Sequence, residues 1–112
     1  MWGQKQLVND TRYDLTITLN IRLSADPRYN AGKKTISMRP GESTRVIYGD
    51  ERNPFLNGIE MIAILNGSIF ATQELVITRG SDFDNKLNVN DTLAFLFANG
   101  AFVVRPSNTW TR

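Results

Sequence analysis

Cysteine and histidine are both absent from this chain of 112 residues. Their absence excludes disulfide bonds, thiol nucleophiles, ordinary zinc sites and every mechanism that relies on an imidazole base. The chain also has no glycine-rich motif of the kind that cradles phosphate groups. We therefore expect no catalytic residues, no metal site and no cofactor, and we predict that the protein is not an enzyme.

Long uncharged segments are also scarce. The two longest, residues 61–73 and 92–104, have thirteen residues each, which is short of the roughly 20 residues that a membrane-spanning helix needs. The first ten residues contain no apolar stretch like the core of a secretory signal. We therefore expect no membrane span, and a cytoplasmic location is the default expectation.

Neither sign of charge dominates the sequence. Thirteen lysine and arginine residues stand against eleven aspartate and glutamate residues, which gives a net charge of +2. The two signs are interspersed along the chain, so no basic arm stands out as the footprint of a nucleic-acid-binding protein. Nucleic acid is therefore not an expected partner.

The composition is that of a folded globular protein. Hydrophobic residues make up 41% of the chain and charged residues 21%, close to the averages for soluble domains. A chain of this length is long enough for one hydrophobic core and too short for two. We predict a single domain over residues 1–112.

Alternation of apolar and polar residues dominates the chain. Residues 15–23 are apolar at every odd position and polar at every even one, from Thr16 to Arg22, which predicts a half-buried strand with the polar side facing outward. Asn66-Gly67 and Asn99-Gly100 each separate two apolar runs, the strongest short signal for a β-hairpin. About eight strands and no convincing helix predict an all-β, antiparallel two-layer β-sandwich of 7–8 strands, or a small barrel.

Three polar segments, residues 24–34, 50–58 and 79–91, are predicted as loops because proline, glycine and polar residues interrupt them. The order of a short strand, VNDT at residues 8–11, a long alternating strand and then ISMRPGESTRV at residues 36–46 resembles the rhythm of immunoglobulin-like sandwich domains. This resemblance implies an architecture and no functional residues.

The second hairpin carries the main functional hypothesis. A two-residue turn at Asn99-Gly100 places Leu96 opposite Val103, and both faces of the hairpin are then apolar. The face with the smaller side chains consists of Ala94, Leu96, Ala98, Ala101 and Val103.

The outer face of a small sandwich normally alternates with polar residues, so something is expected to cover these five side chains. The cover is either part of the same chain, such as residues 50–58 or the tail with Trp110, or a protein partner. We predict a non-catalytic binding or assembly module that uses this face, with a partner protein or a second copy in a homo-oligomer. The loops at 26–34, 50–58 and 79–91 are expected to give specificity.

A carbohydrate-binding domain is the alternative hypothesis. Its ligand-binding residues would be Tyr48, Asp50, Asn53, Phe55 and Asn57. Aromatic rings present an apolar body to a sugar ring, while amide and carboxylate groups form hydrogen bonds with hydroxyl groups. A glycan is the partner that this alternative implies.

A third cluster has the oxygen ligands that calcium prefers. It consists of Asp82, Asp84, Asn85, Asn88 and Asp91. Lys86 lies in the middle, however, and the glutamate at the twelfth position of an EF-hand loop is missing. A hydrogen-bonded loop is the favoured interpretation, and no metal site is predicted.

Overall fold

A computed structural model describes residues 3–50, 52–65, 67–98 and 100–108. Within these residues the chain is largely β-structure with one short helix, which confirms the predicted all-β class. The elements are β1 (Gly3–Asn9), β2 (Leu15–Leu23), β3 (Asp26–Met38), β4 (Ser43–Tyr48), β5 (Leu56–Leu65), β6 (Ser68–Leu75), α1 (Asp82–Asn88), β7 (Thr92–Ala98) and β8 (Ala101–Ser107).

The strands form two sheets of four strands that pack face to face. Sheet A has the order β4-β1-β7-β8 and sheet B the order β3-β2-β5-β6. All neighbouring strands are antiparallel except β1 and β7, which are parallel. The core lies between the sheets, where Leu15, Ile17 and Leu19 of β2 are fully buried. The predicted two-layer sandwich is thus confirmed.

Both predicted hairpins are present with two-residue connections. Leu65 pairs with Ser68 in the first, and Ala98 pairs with Ala101 in the second. The glycines of the two turns have φ angles of 80° and 76°, a left-handed conformation that glycine adopts without steric cost. Asn66 and Asn99 lie outside the described residues.

All three predicted polar loops contain regular structure, and in the loop predicted at residues 50–58 this is the start of β5 at Leu56. Residues 26–38 form β3, which pairs with β2 along the edge of sheet B. Residues 35–38 alternate and are the part of β3 that the sequence predicts as a strand. Residues 26–34 were predicted as a loop because their side chains are almost all exposed and their sequence lacks the apolar alternation from which a strand is predicted. Residues 82–88 form α1, whose first turn is capped by the Ser81 side chain accepting a hydrogen bond from the Asp84 backbone N–H.

The end of β2 departs from the predicted alternation. Asn20 and Arg22 were predicted to face outward with Thr16 and Thr18, but both are buried. The pairing register of β2 shifts between Asn20 and Ile21 on one side and after Ile21 on the other. A register shift re-aims the side chains that follow it, and Arg22 is turned toward α1.

The described part of the chain contains no helix with the length and apolar character that a membrane span requires.

Candidate interaction surface

The five side chains predicted to form an interface lie together on the outer face of sheet A. Leu96 pairs with Val103 and Ala98 with Ala101, the predicted register. Ala94 and Leu96 are half-buried, Ala98 and Ala101 are exposed, and Val103 is 37% exposed. We call this set, Ala94, Leu96, Ala98, Ala101 and Val103, the hairpin face.

The opposite side of the same hairpin anchors it to the core. Leu93, Phe95 and Val104 are buried between the sheets. Phe97 and Phe102, which are paired across the two strands, meet edge to face with their ring centroids 5.2 Å apart. Aromatic pairs in this geometry contribute stability beyond their buried area, so the hairpin face is held on a packed support.

The surroundings of the hairpin face set its polarity. Val8 of β1 lies beside Ala94 and extends the apolar surface toward the middle of the sheet. Arg105 of β8 lies on the other side of Ala94 and is exposed. The surface is therefore an apolar strip with a cationic group at its margin, which is the usual arrangement of an interface core and its rim.

Two segments of the same chain were expected as covers of the hairpin face, namely residues 50–58 and the tail with Trp110. Residues 50–58 form hydrogen bonds with other parts of the molecule: the Asn53 side chain accepts from the backbone N–H of Ser24, and the Phe55 carbonyl accepts from that of Arg22. These contacts hold the segment at the end of sheet B. Trp110 lies outside the described residues.

The residues of the alternative carbohydrate site occupy two environments. Tyr48 and Asn57 are buried, and burial raises the pKa of the Tyr48 hydroxyl. The Asn57 amide donates to the Pro27 carbonyl at 2.8 Å and to the Asn30 side chain at 2.7 Å. The polar groups of Asn57 are thus occupied within the protein.

The other three residues of that site are at the surface. Asp50 accepts from the backbone N–H of Arg52, which lowers the pKa of its carboxyl group, and it also accepts from the backbone and side chain of Asn53. The Phe55 ring is 40% exposed. One side of this ring lies near the guanidinium of Arg22, 5.9 Å from its centroid. Carbohydrate binding stays a prediction.

The acidic cluster at residues 82–91 is a hydrogen-bonded structure. Asp84 is buried and accepts from the Arg22 guanidinium at 2.5 Å, the Gly80 backbone N–H at 2.8 Å and the Asn88 amide at 2.7 Å. Burial alone raises the pKa of this carboxyl group, but the hydrogen bonds from Arg22, Gly80 and Asn88 outweigh it and lower the pKa. Among the described residues, no three acidic side chains are grouped so that they could hold a metal ion.

Arg22 links α1 to sheet B through the same network. Its guanidinium also donates to the Asn57 side chain at 3.2 Å and to the Leu56 carbonyl at 3.1 Å. The side chains of Arg22 and Asp84 are only 3% and 8% exposed. The sequence did not predict this pair. Arg22 occupies a polar position of an alternating strand, where an exposed side chain is expected, and its partner Asp84 lies sixty-two residues away.

A second apolar surface lies on the outer face of sheet B and was not predicted. Ile64 pairs with Ile69, and Ile62 pairs with Ala71. Ile64 is 65% exposed and Ile69 is 72% exposed. The uncharged run at residues 61–73 contains all four, but its alternate residues belong to the core, so composition alone does not separate the two faces. We call Ile62, Ile64, Ile69 and Ala71 the isoleucine patch.

No protein-family model, curated protein or solved structure matches this chain.

Proposed function

We propose that the protein is a non-catalytic binding and assembly module that buries the hairpin face against another protein surface, and that this surface belongs to a second copy of the chain. The observation that carries the proposal is the hairpin face itself. It is a continuous apolar surface on the outside of a two-layer sandwich, where polar side chains normally alternate with apolar ones.

The energetics favour burial of this face. Leu96 and Val103 stand next to each other across the two strands, and Val8 continues the surface beyond Ala94. Removing apolar surface from water contributes about 25 cal/mol per Å². Two such faces that pack at the usual separation of about 10 Å between sheets interdigitate their leucine and valine side chains against the small alanines.

The test is a substitution that places a charge in the centre of the face. Leu96→Lys leaves the core side of the hairpin untouched but forces an ammonium group into any contact made by the hairpin face, which carries a large desolvation cost. We expect the wild type to sediment as an oligomer and Leu96→Lys to sediment as a smaller species. Analytical ultracentrifugation over a range of protein concentrations measures this difference.

The matched control is Gln4→Lys. Gln4 is exposed on β1 and projects from the same outer face of sheet A, but its pairing partner is Ile47 at the far edge. The control adds the same charge to the same sheet outside the hairpin face, so its sedimentation is expected to match that of the wild type. If wild type and Leu96→Lys have the same sedimentation coefficient at every concentration, the proposal is wrong.

A further inference from the structure

Among the described residues, no strand pairs with the outer edge of β6. It is the terminal strand of sheet B, and every residue from Ser68 to Leu75 is exposed except the half-buried Thr72. One side of its backbone pairs with β5. The backbone N–H and carbonyl groups that point the other way form a row that can pair with another strand.

The other three edge strands carry the features by which proteins discourage such pairing, namely positive charges, prolines and bulges. Between Ser68 and Gln73, β6 has no charged residue and no proline, and Glu74 near its end is its only charge. The protective residues on the other edges are Lys33 and Lys34 on β3, Arg45 on β4, and Arg105 and Pro106 on β8.

The isoleucine patch lies directly beside this edge. The exposed fractions of its three isoleucines correspond to on the order of 300–400 Å² of surface, within the range of the largest patch on a typical monomer. The patch reaches the edge at Ile69 and Ala71. A strand added to β6 would therefore cover part of this apolar surface as well as the free backbone groups.

We infer that β6 pairs antiparallel with β6 of a second copy, about a twofold axis that passes through Ala71. This pairing places the outer face of sheet B on the same side in the two copies, because residues opposite each other in an antiparallel pair point to the same face. Ala71 then faces its counterpart, Phe70 faces Thr72, and Ser68 faces Glu74. The occupant is a second copy because this register is self-complementary.

The single charge of β6 is compatible with this register. A hydroxyl donor from Ser68 meets the carboxylate of Glu74 at both ends of the paired strands, and the two glutamates lie at opposite ends. Like charges directly opposite each other destabilise a strand pair. A register centred on Glu74 would oppose the two carboxylates, whereas the register centred on Ala71 opposes two methyl groups.

The expected contact is a modest one. A single edge of eight residues offers less than the roughly 800 Å² per partner of a standard interface. We therefore expect a dimer that depends on concentration, with a dissociation constant on the order of 10 μM. This contact uses a different surface from the hairpin face, so it goes beyond the proposed function and does not depend on it.

The experiment uses Ala71→Lys, with Ser37→Lys as its matched control. Opposite side chains in a strand pair are about 5 Å apart at their Cβ atoms, so Ala71→Lys would oppose two ammonium groups on the axis. Ser37 lies on the same outer face at the other edge of sheet B, joined to Ala71 through the pairs with Thr16 and Ile62. Both positions are exposed, so a lysine is tolerated at each in the monomer.

We expect Ala71→Lys to weaken dimerisation about tenfold or more and Ser37→Lys to leave it unchanged, as measured by sedimentation equilibrium in the Leu96→Lys background. That background removes any contact through the hairpin face, so the two proposals fail or succeed separately. Persistence of the dimer in Ala71→Lys/Leu96→Lys, or a Leu96→Lys protein that is monomeric at several hundred micromolar, would overturn the inference.

A charge-reversal pair tests the register. In the Leu96→Lys background, Ala71→Glu is expected to dimerise as weakly as Ala71→Lys, but an equimolar mixture of the two is expected to recover a heterodimer, because opposite charges then meet on the axis. Native mass spectrometry distinguishes the heterodimer by mass, and circular dichroism verifies that each variant is folded. A mixture that contains only monomers would overturn pairing centred on Ala71.

Discussion

Replacing Asp84 with alanine is expected to lower the free energy of unfolding by about 3–5 kcal/mol, since it leaves the buried Arg22 guanidinium without its counter-charge. The two side chains are joined at 2.5 Å and are almost fully buried. The substitution also removes the acceptor for the Gly80 backbone N–H and the Asn88 amide. The total free energy of unfolding of a domain of this size is about 5–15 kcal/mol. Chemical denaturation is therefore expected to show a large decrease in the denaturant concentration at the midpoint.

The control for this variant is Asp82→Ala. Asp82 is exposed in the first turn of α1, where a carboxylate interacts with the helix dipole by about 0.3–1 kcal/mol. A loss in Asp84→Ala no larger than the loss in Asp82→Ala would contradict the role given to the buried pair.

The stability that the pair of Arg22 and Asp84 contributes depends on pH, and the direction of this dependence follows from the lowered pKa of Asp84. A carboxyl group with a lower pKa in the folded state stabilises the protein above its unfolded pKa of about 3.9, and this contribution disappears as the pH falls through the folded value. We therefore expect the stability difference between wild type and Asp84→Ala to be constant near neutral pH and to shrink below about pH 4.

Raising the pH from about 8 to 10 is expected to stabilise the wild type by about 2–3 kcal/mol, because Lys5 is buried and its pKa is lowered. Its ammonium group donates to the Asn90 carbonyl, and burial lowers its pKa to about 8 while Asp91 opposes this shift. Between this value and the unfolded pKa of about 10.4 the unfolded chain binds more protons, so stability rises with pH.

The rise has an upper limit set by Tyr48. Burial raises the pKa of this hydroxyl, so above about pH 10 the unfolded tyrosine ionises while the folded one does not, and stability falls again. Urea denaturation at half-unit steps measures the curve, and Lys5→Met is expected to abolish the rise between pH 8 and 10. A flat wild-type curve, or a rise that persists in Lys5→Met, would show that Lys5 does not titrate in this way.

Local sequence patterns predicted much of the fold. The alternation of residues 15–21 and the two Asn-Gly hairpins depend on neighbouring residues, and the pairing of Leu96 with Val103 followed from turn geometry alone. The hairpin face could be listed residue by residue for the same reason. The exposure of each of its side chains could not be predicted, because it depends on which other segments of the chain pack nearby.

Features that depend on distant contacts were missed. Arg22 was expected at the surface, and its burial requires α1, which is too short and too polar to give a helical pattern. The isoleucine patch was hidden because Ile62 and Ile64 alternate with buried Met61 and Ala63 in an unbroken apolar run. Residues 26–34 of β3 have no apolar alternation, so only their pairing with β2 identifies this part of the strand, whereas the alternation of residues 35–38 predicts its last part.

The order of the strands along the chain has a consequence for folding during synthesis. All four strands of sheet B lie between Leu15 and Leu75, whereas sheet A combines β1 and β4 with β7 and β8. A ribosome therefore completes sheet B when only β1 and β4 of the covering sheet have been synthesised, and the parallel contact of β1 with β7 closes a loop of more than eighty residues. Such long-range closure slows folding. Until β7 and β8 emerge, the nascent chain exposes the part of the inner face of sheet B that these two strands cover, including Phe70, which packs against Phe97.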